Sequence, residues 1–469
     1  MAAITRAPAP ATEPRPFSPV IERAIGSVGR PLSWLWMRGF RFLFVLDALT
    51  LYALMVAISF VRFGFSFDWD TYPLSRYFVG FAIATAIHLA VNYFTGLYER
   101  ESRLGVRPWL PRALLATAIG VAVQALAFVL LDRYLMPRLN LAVFLMLASF
   151  VLVGNRQLSR VLARRRQGPP RVVLVGEIDS IDLAARHLTE TDRDAVVVGR
   201  VLSPLLLTDT VIDNKATDVL LMDVTALGLV YPEPLNSLDA AGVGFLQRVS
   251  ARETLLGLKA VRQVGGMPFV PLHAHTVPGY KVRLKRLFDL AVLVLFSPLV
   301  LPLVGLVALY VLVRAGRPVL YRQTRVGRDG AVFECVKFRT MVRDAESDGL
   351  ARLATEDDER VVPALRWMRS TRADELPQLW NVLKGEMSLV GPRPERPELV
   401  AEIIERVPGY VRRNELPPGL TGLAQVHGRY GTDAEYKLGY DLQYLVNWSI
   451  VIDIQILFRT IWVVVSRRV

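Results

Sequence analysis

Cysteine is almost missing: one residue, Cys335, in a chain of 469. That excludes an intramolecular disulfide and any cysteine-rich zinc site. Histidine is scarce as well. His88, His187, His273, His275 and His427 form no metal-ligand spacing, and isolated histidines are ordinarily core or surface residues. Charge is thin, at 21% of residues against 52% hydrophobic, and the mean hydropathy of +0.33 exceeds that of most soluble proteins, so membrane segments are expected. The charge that is present leans one way, to a formal net +13. Such an excess suits an anionic partner: a phosphate-bearing substrate, a lipid headgroup layer or nucleic acid. Nothing near the N-terminus reads as a cleaved signal, and the proline- and alanine-rich residues 1–37 read as a disordered arm.

Four apolar stretches follow, at approximately 40–61, 77–97, 113–131 and 139–154, each near the length that crosses ~30 Å of hydrocarbon, the fourth being short. Arginines crowd alternate loops. Arg38 and Arg41 precede the first stretch, Arg100, Arg103, Arg107 and Arg112 fill the second loop, and Arg156, Arg160, Arg164, Arg165 and Arg166 follow the fourth. The other loops are nearly balanced in charge. By the positive-inside rule, residues 38–155 form four transmembrane helices with both ends in the cytoplasm.

Residues 168–270 change character. "RVVLVGE", "AVVVGRVL" and "TDVLLMDV" are β-branched apolar runs, with a helical pattern at 181–190 between the first two, and together they predict a small parallel α/β unit. A dinucleotide site needs G-x-G-x-x-G after the first strand, so that phosphate can approach bare backbone. Here Gly176 stands alone beside Glu177 and Asp179, whose carboxylates would repel a pyrophosphate. The unit reads as degenerate Rossmann-like, with a structural or regulatory role.

The apolar run 287–313 carries basic residues at both ends and Ser297-Pro298 and Pro302 inside. Proline deletes a backbone donor and clashes with the preceding turn, so a bend is expected there. A helix that enters the bilayer and returns on the same face satisfies the flanking charges and keeps the rest of the chain in the cytoplasm. Asp289, four residues after Lys285, is expected to form an ion pair along that helix.

Beyond it the chain is basic. "VLYRQTRVGRDG" and "VFECVKFRTM" read as short strands around a glycine turn, presenting guanidiniums to one side for phosphates or acidic lipid headgroups. Nucleic acid is disfavoured, because no nucleic-acid module is visible. Then comes "RADELPQLWNVLKGEMSLVGPRPE", with adjacent acids Asp374 and Glu375. Arg366, Arg369 and Arg372 approach them, "LPQLWNVL" offers an apolar wall, and prolines hold Arg393 in a rigid turn. Adjacent acids suit Mg²⁺ shared with substrate phosphates, and an aspartate can itself attack phosphorus.

Residues 281–469 resemble the bacterial sugar transferases, the monotopic phosphoglycosyl transferases. The resemblance rests on "KRLFDLAVLVLFSPLVLP", "YRQTRVGRDG", "KFRTM", "DELPQLWNVLKGEMSLVGPRPE" and "PGLTGLAQVHGR" in that order. With four preceding spans and a Rossmann-like unit, the whole chain resembles the large polyprenyl-phosphate glycosylphosphotransferase branch. The resemblance implies a multi-pass inner-membrane protein in contact with membrane lipids, with a monotopic catalytic domain on the cytoplasmic face and a re-entrant helix kinked at Ser297 and Pro298. It implies Asp374 as nucleophile on the sugar-bearing phosphate of a UDP-sugar, with Glu375 as its partner and both acids near Mg²⁺. It implies phosphate or nucleotide contacts from Lys337, Arg369, Arg393 and Arg429, polyprenyl (undecaprenyl) phosphate as acceptor, and a homodimer. Leu423 and His427 depart from the family's pattern, where tryptophan and asparagine are common, and bear on the sugar or nucleotide fit.

Two other classes remain in view. Membrane-anchored nucleotide-sugar dehydratases need an intact glycine loop and a Tyr-x-x-x-Lys pair, and no tyrosine here has a lysine four residues on. A non-enzymatic scaffold for polysaccharide assembly would leave the acid pair merely structural.

Overall fold

The computed structural model describes residues 40–63, 74–99, 104, 109–131, 136–191, 195–231, 233–251, 255, 262–272, 277–342, 358–407, 409–427 and 433–465. The arm expected at residues 1–37 lies outside the described residues. The chain forms two compact units, Met1–Ala274 and His275–Val469.

The first unit opens with four helices: α1 Phe40–Phe63, α2 Leu74–Phe94, α3 Trp109–Leu131 and α4 Arg138–Gln167. Each has an apolar stretch long enough to cross a membrane. The fourth outruns its expected bounds, because hydropathy marks only its apolar part while the arginine-rich tail continues the same helix. Leu51, Met55, Phe144 and Leu152 form the buried seam, and Ala84, Ala113, Ala116 and Ala148 let the backbones approach. Asp47 on α1 and Arg156 on α4 are buried and paired at 3.0 Å, and Asn155 Nδ2 donates to Asp47 Oδ1 at 2.9 Å. An ion left alone in that setting would be costly, so each member holds the other's helix in place.

The α/β part carries β1 Arg171–Val175, α5 Ile178–Thr191, β2 Val196–Val201, α6 Leu207–Asp213, β3 Asp218–Leu221, α7 Val224–Val230, α8 Leu235–Ala240, β4 Gly244–Arg248, β5 Arg262–Val264 and β6 Met267–Leu272. The sheet order is β2-β1-β3-β4-β6-β5. Its first four strands are parallel, and β6 and β5 extend it antiparallel. Successive residues enter opposite cores. Val172 and Leu174 join one and Val173 and Val175 the other, which is why these strands are continuous apolar runs.

Past β1, the Glu177 amide donates to Asp223 Oδ2 at 2.9 Å and Ser180 Oγ to Asp223 Oδ1 at 3.3 Å. A Cβ on Gly176 would come within 2.5 Å of Asp223 Oδ2. The protein's own carboxylate thus fills the helix N-terminus where a nucleotide phosphate would otherwise sit.

The second unit opens with α9 Gly279–Ala315, a single helix of 37 residues, about 55 Å long at 1.5 Å per residue. It runs continuously through Ser297, Pro298 and Pro302. Its first third buries Lys285 and Asp289, and its last third buries Val307 and Val311. Between these anchors Val294, Leu295, Leu299 and Leu301 are exposed. The expected Lys285–Asp289 pair is not formed. Lys285 Nζ instead meets Asp453 Oδ2 at 2.8 Å, while Asp289 Oδ1 accepts the Leu389 amide at 3.2 Å. Tertiary partners satisfy both groups more directly than a helical neighbour does.

Then come β7 Leu320–Val326, β8 Val332–Phe338, α10 Arg366–Ser370, a short turn at Ala373–Glu375, α11 Gln378–Lys384, β9 Ser388–Val390, α12 Pro397–Arg406, β10 Gly419–Thr421, α13 Leu423–His427, α14 Ala434–Asn447 and α15 Ile450–Val465. β7 and β8 form the expected hairpin, with Tyr321 opposite Lys337. Its guanidiniums do not share one face, because residues alternate across a strand. Arg322 pairs outward with Glu334 at 3.1 Å, while Arg325 lies on the Lys337 side. Arg339 donates to Ala315 O and Gly316 O, capping the C-terminus of α9.

Candidate active site

Asp374 and Glu375 sit on the Ala373–Glu375 turn. Arg372, just before it, has φ 55, a left-handed conformation that costs a non-glycine residue about 1–2 kcal/mol. The neighbours that hold this turn are cations. Lys337 Nζ from β8 lies 3.3 Å from Glu375 Oε1, Arg393 Nη2 2.9 Å and Arg372 Nη1 3.6 Å. All three converge on one oxygen of a buried carboxylate. Asp374, by contrast, makes no hydrogen bond or ion pair among the described residues.

The two acids therefore titrate apart. Burial first, and the Glu375 charge second, push Asp374 up to about 6, against the pull of Lys337, Arg369 and Arg393. Burial would raise Glu375 too, but Arg393, Lys337 and Arg372 outweigh it and hold that carboxyl well below the usual carboxylate range. One acid is a fixed anion that organises cations; the other is a basic carboxylate with its oxygens uncommitted.

Asp374, Glu375, Lys337, Arg369 and Arg393 are thus brought together as the sequence suggested. Arg369, on α10, acts on Asp374 through its charge and forms no ion pair among the described residues. Arg366 is exposed and makes no hydrogen bond or ion pair among the described residues. Arg429 lies outside the described residues. Ser297 and Pro298 lie in the exposed middle of α9, and Ser297 Oγ donates to Val294 O at 2.8 Å. The apolar wall is half real: Val382 is buried, whereas Trp380 and Leu383 face outward.

Sequence reasoning missed the residues that fix this arrangement. Asn381, fully buried, accepts the Val336 amide at 3.1 Å and donates to Glu334 O at 2.7 Å. It thereby ties the helix after the acids to the strand that carries Lys337. Arg413 Nη2 donates to Arg393 O at 3.0 Å and is itself paired with Asp441 at 2.8 Å. Arg325 Nη1 donates to Pro394 O at 3.0 Å. The prolines around Arg393 were a usable signal; Arg413 and Asp441, far apart in the chain, offered none.

The acids also bear on the metal expectation. Among the described residues no group of three His, Cys, Asp or Glu side chains could hold a metal ion, and one oxygen of Glu375 is already taken by cations. Two adjacent carboxylates could hold Mg²⁺ only together with substrate phosphates, which would complete its oxygen ligands.

The turn sets one basic carboxylate among cations, and residues 280–467 match the bacterial sugar transferase family. The chain belongs to that family. Relatives include the UDP-glucose:undecaprenyl-phosphate glucose-1-phosphate transferase of Caulobacter vibrioides, 41% identical over 182 residues, 38% of this chain and 68% of that protein. The protein of the same name from Klebsiella pneumoniae is 39% identical over 205 residues, 43% of this chain and 44% of the relative. The undecaprenyl-phosphate galactose phosphotransferase of Salmonella typhimurium is 40% identical over 202 residues, 39% of this chain and 41% of the relative. The match thus spans less than half the length of the last two.

Proposed function

We propose that this chain transfers a sugar 1-phosphate from a UDP-sugar to polyprenyl (undecaprenyl) phosphate, giving polyprenyl-diphosphate-sugar and UMP. The product begins an exopolysaccharide, capsule or O-antigen chain. The observation that carries the reading is the asymmetry of the dyad: Asp374 uncommitted, with its pKa near 6, beside a Glu375 saturated by Lys337, Arg372 and Arg393.

Above pH 6 the Asp374 carboxylate is ionised and, being more basic than an ordinary aspartate, a better nucleophile. Its oxygen bonds to the sugar-bearing phosphorus, and the phosphoanhydride bond breaks to release UMP. A phosphate oxygen of the polyprenyl phosphate then bonds to the same phosphorus, and the acyl-phosphate bond breaks to return Asp374. Lys337, Arg369 and Arg393 blunt the repulsion between two approaching anions and offset charge on the transferring group. Mg²⁺, when bound, would neutralise phosphate charge at the same point.

The pattern of burial along α9 supports the membrane disposition. Residues near both its ends are buried while its middle, which holds Pro298 and Pro302, is apolar and exposed; a bend at those prolines would let the helix dip into one leaflet and return. A nucleotide-sugar donor requires that face to be cytoplasmic, in an inner membrane, and the large branch of the family suggests a homodimer. The test is transfer of radiolabelled sugar phosphate from UDP-sugars to lipid extract, with acid quench and intact-mass detection of a phosphosugar adduct. Asp374→Asn should abolish both; transfer that survives the substitution removes the aspartate from the mechanism and favours a scaffold.

A further inference from the structure

Apart from the dyad, the second unit holds an open cavity of about 310 Å³ between α13, α14 and α15, within the roughly 300–1,000 Å³ range of small-ligand sites. Leu423, Val426, Ile452 and Ile456 supply apolar walls, and Gln455 and Arg459 lie on the α15 side. Arg459 is exposed and makes no hydrogen bond or ion pair among the described residues. His427 also lines the cavity. Its pKa is lowered, by burial first and by Arg459 second, which leaves Arg459 as the cation of the cavity at neutral pH.

Two further features bear on the occupant. The outward face of α15 is apolar at helical spacing, with Val451, Ile454, Phe458, Ile461 and Trp462 all exposed. The same helix is fastened to α9 through Asp453 and Lys285, and Val292 and Leu293 of α9 share a core with Ile452 and Leu457. The cavity and this exposed apolar face thus share the helix α15. The cavity also adjoins the Arg393 loop. α13 begins just after Gly422, where a Cβ would lie 2.1 Å from Gly391 O, and Thr421 Oγ1 lies 2.7 Å from Thr460 Oγ1 on α15.

We infer that the cavity is a lipid-phosphate site: an apolar chain lies on Leu423, Val426, Ile452 and Ile456, with its phosphate held by Arg459. This chemistry is shared by a polyprenyl phosphate and a bilayer phospholipid. The inference does not depend on the transfer reaction, since binding is read without turnover.

The test is equilibrium binding of radiolabelled farnesyl phosphate to the full chain in detergent. Arg459→Gln, at an exposed position, should leave thermal unfolding unchanged and weaken binding about tenfold, the worth of one charge-assisted hydrogen bond. Ile452→Trp, which fills the cavity, should weaken it as well, while Asp374→Asn should bind as wild type does. Farnesol should not compete. Dihexanoyl phosphatidylglycerol competing on equal terms would identify a bilayer lipid as the occupant, and its failure to compete would identify the polyprenyl phosphate. Binding indifferent to both cavity variants, or farnesol competing as well as its phosphate, would overturn the inference.

Discussion

Asp374 is held in a state that the fold itself disfavours. Its folded pKa of about 6 lies above the ordinary 3.8, so the native state binds the proton more tightly than the unfolded chain. The destabilisation is absent below about pH 4, grows as pH rises towards 6, and is complete above it. Asp374→Asn should therefore raise stability by roughly 1–3 kcal/mol at pH 7 to 8. Thermal unfolding across pH checks this, and the gain should vanish below about pH 4. Glu375 has the opposite sign. Its depressed pKa contributes stability above its ordinary value of 4.5 that is lost as pH falls, and its charge is what lifts Asp374. Glu375→Gln should thus destabilise the fold at neutral pH by about 2 kcal/mol, discounted because its three cations are partly exposed. It should also move the acid limb of any residual UMP-release profile to lower pH, because Asp374 would then face cations without a neighbouring anion. An unshifted acid limb would mean that another group titrates there.

At the scale of elements, α9 and α15 both expose apolar side chains and are fastened to each other. Lys285 and Asp453 are both fully buried and join the two helices. Tyr444 OH donates to Asp453 Oδ1 at 2.6 Å and Trp448 Nε1 to Oδ2 at 3.2 Å, so the carboxylate is satisfied from three directions. Because Cys335 is buried, introduced thiols can report on topology. Cysteines at Tyr280 and Arg317, flanking the apolar middle of α9, should both react with a membrane-impermeant maleimide in inside-out vesicles and neither in intact spheroplasts. Labelling of the two from opposite sides would make α9 a full crossing and end the re-entrant reading. The helix α15 has a core side and an open side: Asp453 and Ile456 are buried while Phe458 and Trp462 are exposed.

At the scale of the whole molecule, the family match falls within the second compact unit, and the matched segment makes up 68% of the Caulobacter relative. The dyad, its cations and the residues that hold them all lie in that unit as well. A chain reduced to residues 275–469 should therefore still release UMP from a UDP-sugar when given polyprenyl phosphate, within about tenfold of the full chain, as a domain with its own core can fold alone. Loss of all activity in a truncation that remains folded would assign the first unit a part in catalysis.

The sequence by itself determined the order of the molecule: four apolar helices, an alternating α/β unit, a basic C-terminal unit, and the acid pair with Lys337, Arg369 and Arg393. These are local matters of hydropathy, β-branching and motif spacing, which are written in neighbouring residues. It did not reveal β4 to β6, because a sheet edge depends on pairing with distant strands. Nor did it reveal that Asp223 fills the phosphate position of the α/β unit, that Lys285 pairs with Asp453 instead of Asp289, or that Arg322 and Arg325 face opposite ways. Only the tertiary structure decided which of two adjacent acids would be neutralised and which left basic. That choice depends on where three cations from separate segments converge, and Coulomb energy follows distance in space, which the chain alone does not state.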